Sequence, residues 1–200
     1  MKSIWSIFKN YIIPIAVGLA IALLIKTYAF SLVKVDGSSM YPNLQNTERV
    51  SMIKFLEPKR DNVVVFKAYG VDPRAIDPKI LYVKRVIGVP GDTVQYTKSG
   101  ELLVNNKVVK QDFISKDAQK QGTLQPINKE KTGFDLKSLS KGSEWNSGSV
   151  TTVPKGKYFV MGDNREVSND SRYWGFVPKD KIQGVVKLLP WQNHHEEINR

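Results

Sequence analysis

Apolar residues are distributed along this chain in two different ways. Between residues 11 and 25 the sequence YIIPIAVGLAIALLI is apolar on every side and carries no charge. From residue 33 onward the apolar residues come in short runs separated by polar turns. The first pattern predicts a helix without a polar face. Its fifteen residues reach about 22 Å as a helix, short of a hydrocarbon core of roughly 30 Å. A membrane span must therefore draw on its flanks: Ile4, Trp5, Ile7 and Phe8 before it, Tyr28, Ala29, Phe30, Leu32 and Val33 after it. Lys9 and Lys26 can snorkel toward headgroups, and Trp5, Tyr11 and Tyr28 suit the interfaces. A cleaved signal peptide and a buried core helix compete with an anchor here. No clean A-x-A site follows the run, and a core helix would show one polar side. The expected organisation is a cytoplasmic N-terminus at residues 1–10 and a transmembrane anchor at 11–31. Lys2 and Lys9 favour that orientation, while Lys26 and Lys34 dilute the charge asymmetry.

The second pattern predicts strands. VVVF at 63–66, ILYVKRVIGV at 80–89, TVQY at 93–96, LLV at 102–104, KYFVM at 157–161 and IQGVVKLL at 182–189 are short runs rich in β-branched and aromatic residues. Turn chemistry divides them, as in VPGD at 89–92 and PKGK at 154–157. The expected fold class is mainly β: an antiparallel catalytic domain over residues 32–106 and 154–190, preceded by one N-terminal transmembrane helix. Residues 107–153 are polar and lysine-rich, and a structureless loop of that length is unusual in a compact domain. They read as a smaller inserted β lobe, with 191–200 as a frayed C-terminal tail.

Composition narrows the chemistry. With no cysteine, a disulfide framework and a Cys-ligated zinc site are excluded. The net charge of +11 raises the question of nucleic acid. The lysines are scattered through polar loops, with no basic helix, and a soluble face beside anionic lipid gives the same excess. No nucleic-acid partner, metal or organic cofactor is expected.

Two serines stand side by side in KVDGSSMYPNL, residues 34–44. A serine nucleophile needs a group that takes its proton. The two histidines, His194 and His195, fall in the tail, and their adjacency suits neither catalysis nor a metal. Lys84 stands out instead, because it lies inside an apolar strand run. Strand alternation puts it on a face with Tyr82 and Val86, while Arg85 shares the other face with Val83 and Ile87. A lysine so placed either snorkels at an edge or is desolvated, and desolvation lowers its pKa. A second polar cluster, MGDNREVSNDSRYWGFVP at 161–178, follows a hydrophobic strand. It reads equally as a solvated turn with surface ion pairs or as a loop that orders an active site.

Taken together, these three clusters resemble the type I signal peptidases, membrane-anchored proteases that remove leader peptides from exported proteins. GSSMYPNL is similar to the family's serine box S-M-x-P-T-L, YVKRVIGVPGD to its lysine box, and GDNREVSNDSR to its third box. The order of the boxes behind one N-terminal anchor resembles the short Gram-positive form. The resemblance implies that Ser39 is the nucleophile and Lys84 the general base. It implies that Ser168 orients the lysine amine, and that Asp170 with Arg172, and Asp163 with Arg85, form supporting pairs. Val33, Val35 and Val83 match positions that line shallow pockets for small side chains. Gly37 stands where some members carry a serine as second oxyanion donor, which leaves that donor open to water or another N–H. Two further departures are Asn43 in place of the box threonine and R-D-N at 60–62 in place of R-G-D. The implied partners are exported preproteins bearing signal peptides and the lipid membrane. The implied location is the cell membrane, with the catalytic domain on the extracytoplasmic face. Two other readings remain beside it. One is a cytosolic self-cleaving repressor-type protease of related fold, the other a non-catalytic scaffold.

Overall fold

The computed structural model describes residues 4–124, 127, 132–142, 145 and 148–200. Lys2 and parts of the expected insertion lie outside the described residues. The chain opens with α1 (Ile4–Ile7), widens over Phe8–Ile12, and continues as α2 (Ile13–Ala29). Pro14 accounts for the wide turn, because it has no N–H to donate and its ring crowds the preceding carbonyls. The 22 residues Phe8–Ala29 form a helix long and apolar enough to cross a membrane. At 1.5 Å per residue they reach about 33 Å.

The helix runs without a linker into β1 (Phe30–Lys34), so residues 30 and 31, expected in the anchor, belong to the sheet. β2 (Arg49–Ile53), β3 (Val63–Lys67) and β4 (Leu81–Gly88) follow. Next come β5 (Val94–Tyr96), β6 (Leu102–Val104), β7 (Lys107–Val109) and β8 (Phe134–Asp135), the last leading into the short helix α3 (Leu136–Leu139). The chain returns through β9 (Lys157–Met161), α4 (Ser171–Trp174), β10 (Val177–Pro178) and β11 (Ile182–Lys187) to α5 (His195–Ile198).

The strands form two antiparallel sheets, ordered β1-β2-β11-β3-β4-β9-β10 and β7-β6-β5-β8. β3 sits in the middle of the larger sheet, where Val63, Val64, Val65 and Phe66 are all fully buried. That explains why its sequence is an unbroken apolar run and not an alternation. The smaller sheet begins earlier than expected. β5 and β6, assigned above to the catalytic domain, belong to it. The cause is the turn after β4. Asp92 accepts from the Val89 N–H at 2.8 Å, from Arg60 Nη2 at 2.7 Å and from Asn105 Nδ2 at 2.8 Å. Those bonds redirect the chain out of the larger sheet. Between the sheets lies an aromatic core in which Trp145 packs against Phe159 and Phe176, and Tyr96 against Phe134.

The tail is not frayed. Ile198 is fully buried in the cluster that holds Met40, Leu44 and Val50. The Asn199 side chain bonds both the N–H and the carbonyl of Leu188, each at 2.8 Å. The apolar Ile198 and the two-sided amide of Asn199 supply the burial and pairing that dock it.

Candidate active site

Ser39 lies on the loop between β1 and β2. Two buried anchors, Met40 and Leu44, hold this loop down, and the Leu44 N–H closes a turn onto the Met40 carbonyl at 3.0 Å. Gly37 turns the chain at φ +87°, a conformation that favours glycine, and its N–H donates to Asn46 Oδ1 at 3.0 Å. The loop is also braced from across the molecule. Asn164 donates its backbone N–H to the Ser39 carbonyl at 3.0 Å and its side-chain amide to the Ser38 carbonyl at 3.1 Å.

Lys84 enters from β4, opposite Val64 on β3. Its Nζ lies 2.8 Å from Ser39 Oγ, and the residue is only 4% exposed. The two faces of β4 separate as period-two alternation requires. Tyr82 and Val86 join one cluster with Phe66 and Val160, and Val83 joins another with Val35 and Met40. Burial pulls the Lys84 amine from its ordinary 10.5 down to about 8. Asp170, Asp163 and Asp72 pull it back up, and Arg172 pushes with the burial.

The cluster at 161–178 is an ordering loop and not a solvated turn, because both of its ion pairs are fully buried. Arg85 Nε and Nη2 reach Asp163 Oδ1 and Oδ2 at 2.8 and 2.6 Å. Arg172 Nε and Nη2 reach Asp170 Oδ1 and Oδ2 at 2.8 and 3.0 Å. A planar guanidinium meeting a carboxylate at two points fixes orientation as well as charge. Burial works to raise the Asp170 carboxyl, but the Arg172 guanidinium and the Gly162 N–H outweigh it and hold the group below its usual range. Arg165 is buried too, and bonds the Gly162 carbonyl, Tyr96 Oη and Thr123 Oγ1. Glu166 is exposed.

Ser168 is buried, and it and the Ser39 carbonyl both pack on Gly162. The Ser168 hydroxyl lies close enough to the Asp170 carboxylate to help keep it ionised, yet it makes no well-formed hydrogen bond, with Lys84 or any other group. Val33, Val35 and Val83 come together in one cluster below the Ser39 loop. A cavity of about 280 Å³ opens beside Ser39, lined by Gly37, Ser38, Lys84, Tyr82, Val167 and Asn169.

Two contributors, Gly162 and Asn164, were not singled out from the sequence, and a third, Asn43, was noted only as a departure. Gly162 allows Ser168 and the Ser39 carbonyl to meet, since a Cβ there would stand 2.3 Å from Ser168 Oγ and 2.4 Å from the Ser39 oxygen. Asn164 braces the serine loop, as described. Asn43 is a departure with a consequence: its Nδ2 bonds Asp163 Oδ2 at 2.8 Å and the Phe113 carbonyl at 2.7 Å, completing the surroundings of the Arg85 pair. The motif neighbourhood of Asn43 and Gly162 was visible in the sequence, but the contacts that give them a task were not.

Comparison with known proteins finds the family described as "Signal peptidase, peptidase S26" over residues 8–191. The signal peptidase IB of Staphylococcus aureus is 37% identical over 188 residues, covering 91% of this chain and 88% of the relative. The signal peptidase I T of Bacillus subtilis is 38% identical over 180 residues, covering 88% of this chain and 81% of the relative. Among solved structures, a signal peptidase I from Enterococcus faecalis is 31% identical and covers 65% of this chain and 97% of its own, with a TM-score of 0.49.

Proposed function

The chain belongs to the signal peptidase family, peptidase S26, and we propose that it is a membrane-anchored serine endopeptidase working through a Ser39–Lys84 dyad. It removes signal peptides from exported preproteins and cuts after small residues. The observation that carries this reading is the 2.8 Å contact between Ser39 Oγ and a Lys84 amine that is only 4% exposed. An amine with a pKa of about 8 is neutral in a substantial fraction near neutral pH and can accept a proton.

The reaction follows from that contact. Ser39 Oγ attacks the scissile carbonyl carbon as its proton passes to Lys84 Nζ. The carbonyl π electrons move to oxygen, and the Ser39 N–H, which bonds no acceptor among the described residues, is available to that oxyanion. Gly37 brings no hydroxyl, and its N–H is engaged with Asn46, so the second donor is water or another backbone N–H. When the tetrahedral intermediate collapses, the carbon–nitrogen bond breaks and the Lys84 ammonium gives its proton to the departing amine. Water, deprotonated by Lys84, then attacks the acyl-Ser39 ester; as the carbon–Oγ bond breaks, the Lys84 ammonium returns its proton to Ser39 Oγ, and the cleaved signal peptide leaves with a new C-terminal carboxylate. Ser168, whose buried hydroxyl makes no well-formed hydrogen bond among the described residues, is the group assigned to orient the amine. The Arg172–Asp170 and Arg85–Asp163 pairs hold the surrounding loops.

The substrate would add as an extended strand beside β1. The resemblance gives Val33, Val35 and Val83 the shallow pockets that favour small side chains before the cut, and of the three Val83 lines the cavity beside Ser39. Phe8–Ala29 anchors the chain with its N-terminus in the cytoplasm, and Leu32 and Phe55, 72% and 70% exposed, face the lipid surface. The basic excess of +11 favours that surface as well.

The test is cleavage of a leader-bearing preprotein by the full-length protein in detergent or lipid. The wild type is expected to cut after a small residue, with Ser39→Ala at least a thousandfold slower, on the order of the loss for a missing nucleophile. Equal cutting by both would remove Ser39 from the reaction.

A further inference from the structure

Three side chains outside the dyad, Asp72, Tyr82 and Asn169, are bonded to one another, and the Tyr82 ring stands beside the Lys84 amine. Asp72 lies on the loop between β3 and β4 and is 2% exposed. Its Oδ2 accepts from Tyr82 Oη at 2.9 Å and from Asn169 Nδ2 at 2.6 Å, while Oδ1 accepts from the Arg74 backbone N–H at 2.9 Å. One carboxylate therefore joins three separate segments: its own loop, the start of β4, and the loop before α4. Tyr82 shares the Lys84 face of β4, and its ring centroid lies 5.2 Å from Lys84 Nζ. Asn169 directly follows Ser168. Tyr82 and Asn169 both line the cavity beside Ser39, so Asp72 fixes two of its walls without lining it.

We propose that Asp72 is a positioning residue for the dyad, holding the Tyr82 ring against the lysine amine and turning Asn169 into the groove wall. The proposal rests on Lys84 being the general base. The charge of Asp72 adds a second effect. Burial is what lowers the Lys84 amine, aided by Arg172, while Asp170, Asp163 and Asp72 oppose it. The Tyr82 phenol is pushed up to about 12 by burial and by its bond to Asp72. It therefore stays a neutral donor wherever the enzyme works and brings no charge of its own. Asp72 thus tunes how readily Lys84 gives up its proton, and does so from a loop that does not line the cavity beside Ser39.

The test uses the full-length protein in detergent with a leader-bearing preprotein, following kcat/KM with pH. Asp72→Asn keeps the shape and loses the charge. Its acid limb is expected to move to lower pH by about half a unit, the effect of losing one partly screened neighbouring negative charge. Its plateau kcat is expected to fall severalfold, because an amide cannot present acceptors on both oxygen positions. Tyr82→Phe, which keeps the charge, is expected to lower kcat and leave the limb in place. An unmoved limb in Asp72→Asn overturns the proposal, whether or not the melting temperature falls, since a merely structural carboxylate would leave the limb alone. Should Asp72→Asn fail to fold, Asn169→Ala tests the same wall, and a wild-type kcat there overturns it. Lys84→Met in the same assay separates the two readings. Activity retained in that variant removes the dyad and this proposal with it. Activity lost there, with an unmoved Asp72→Asn limb, removes this proposal alone.

Discussion

Lys84 is held where it is least stable as a cation. Its amine titrates near 10.5 in an unfolded chain and at about 8 in the fold. The folded state therefore binds fewer protons between those values, and stability rises as pH climbs through that window. Below about pH 8 the full cost of burying the charge is present, and above about 10.5 it is gone. An apolar residue of similar length escapes the cost. Lys84→Met is accordingly expected to gain on the order of 2 kcal/mol in chemical unfolding at pH 7 and to gain little at pH 10.5, while losing all cleavage. Equal stability of the two proteins at pH 7 would mean that the lysine is not desolvated. Ser39 and Lys84 were legible in the sequence, one from its motif and the other from its apolar run. Asn43 and Asp72 were not, because what they do depends on contacts across the fold. Asn43 meets Asp163 120 residues away, and Asp72 meets Asn169 97 residues away.

At the scale of elements, the strands that could be read were those whose residue pattern differed from their surroundings. β3, β4, β9 and β11 are apolar runs between polar turns, and each was expected near where it lies. β1 was hidden because its apolar residues continue those of α2, so no change of pattern marks the switch from helix to strand. β2, with the sequence RVSMI, mixes polar and apolar positions and becomes a strand by pairing with β1 and β11. The departure from R-G-D leaves Asp61 at φ +69°, a conformation that glycine adopts more readily, and the β3–β4 pairing still holds. The C-terminal segment was misread because its composition is polar while its docking rests on one buried apolar residue, Ile198, and on the pairing of Asn199 with Leu188. α5 sets the Glu197 carbonyl 2.7 Å from Arg85 Nη1, so the segment reaches the buried Arg85–Asp163 pair as well as the core under the serine loop. Ile198→Ala is expected to cost about 2–4 kcal/mol in chemical unfolding, the range for emptying a closed core site. A change below about 0.5 kcal/mol, ordinary for surface positions, would return the segment to the status of a loose tail.

At the scale of the molecule, the sequence of elements places Ser39 close to the end of the long apolar helix. α2 passes into β1 with no linker, and Lys54 fastens the junction by donating its backbone N–H to the Ala29 carbonyl at 3.0 Å and its Nζ to the Thr27 carbonyl at 2.8 Å. The five residues of β1 advance about 17 Å, so Ser39 stands within a short reach of the span's end. A protease that meets its substrate where a signal peptide leaves the bilayer is served by that geometry. The proposed mechanism requires one lysine to be both buried enough to be neutral and close enough to its serine to take a proton. The most direct test is the pH dependence of Ser39 acylation by a leader-bearing preprotein in the full-length, lipid-reconstituted enzyme. The rate is expected to rise tenfold per pH unit on the acid side and to level off near pH 8, where the Lys84 amine loses its proton. A rate flat across that range, or one that levels off at the ordinary lysine value of 10.5, would contradict that expectation.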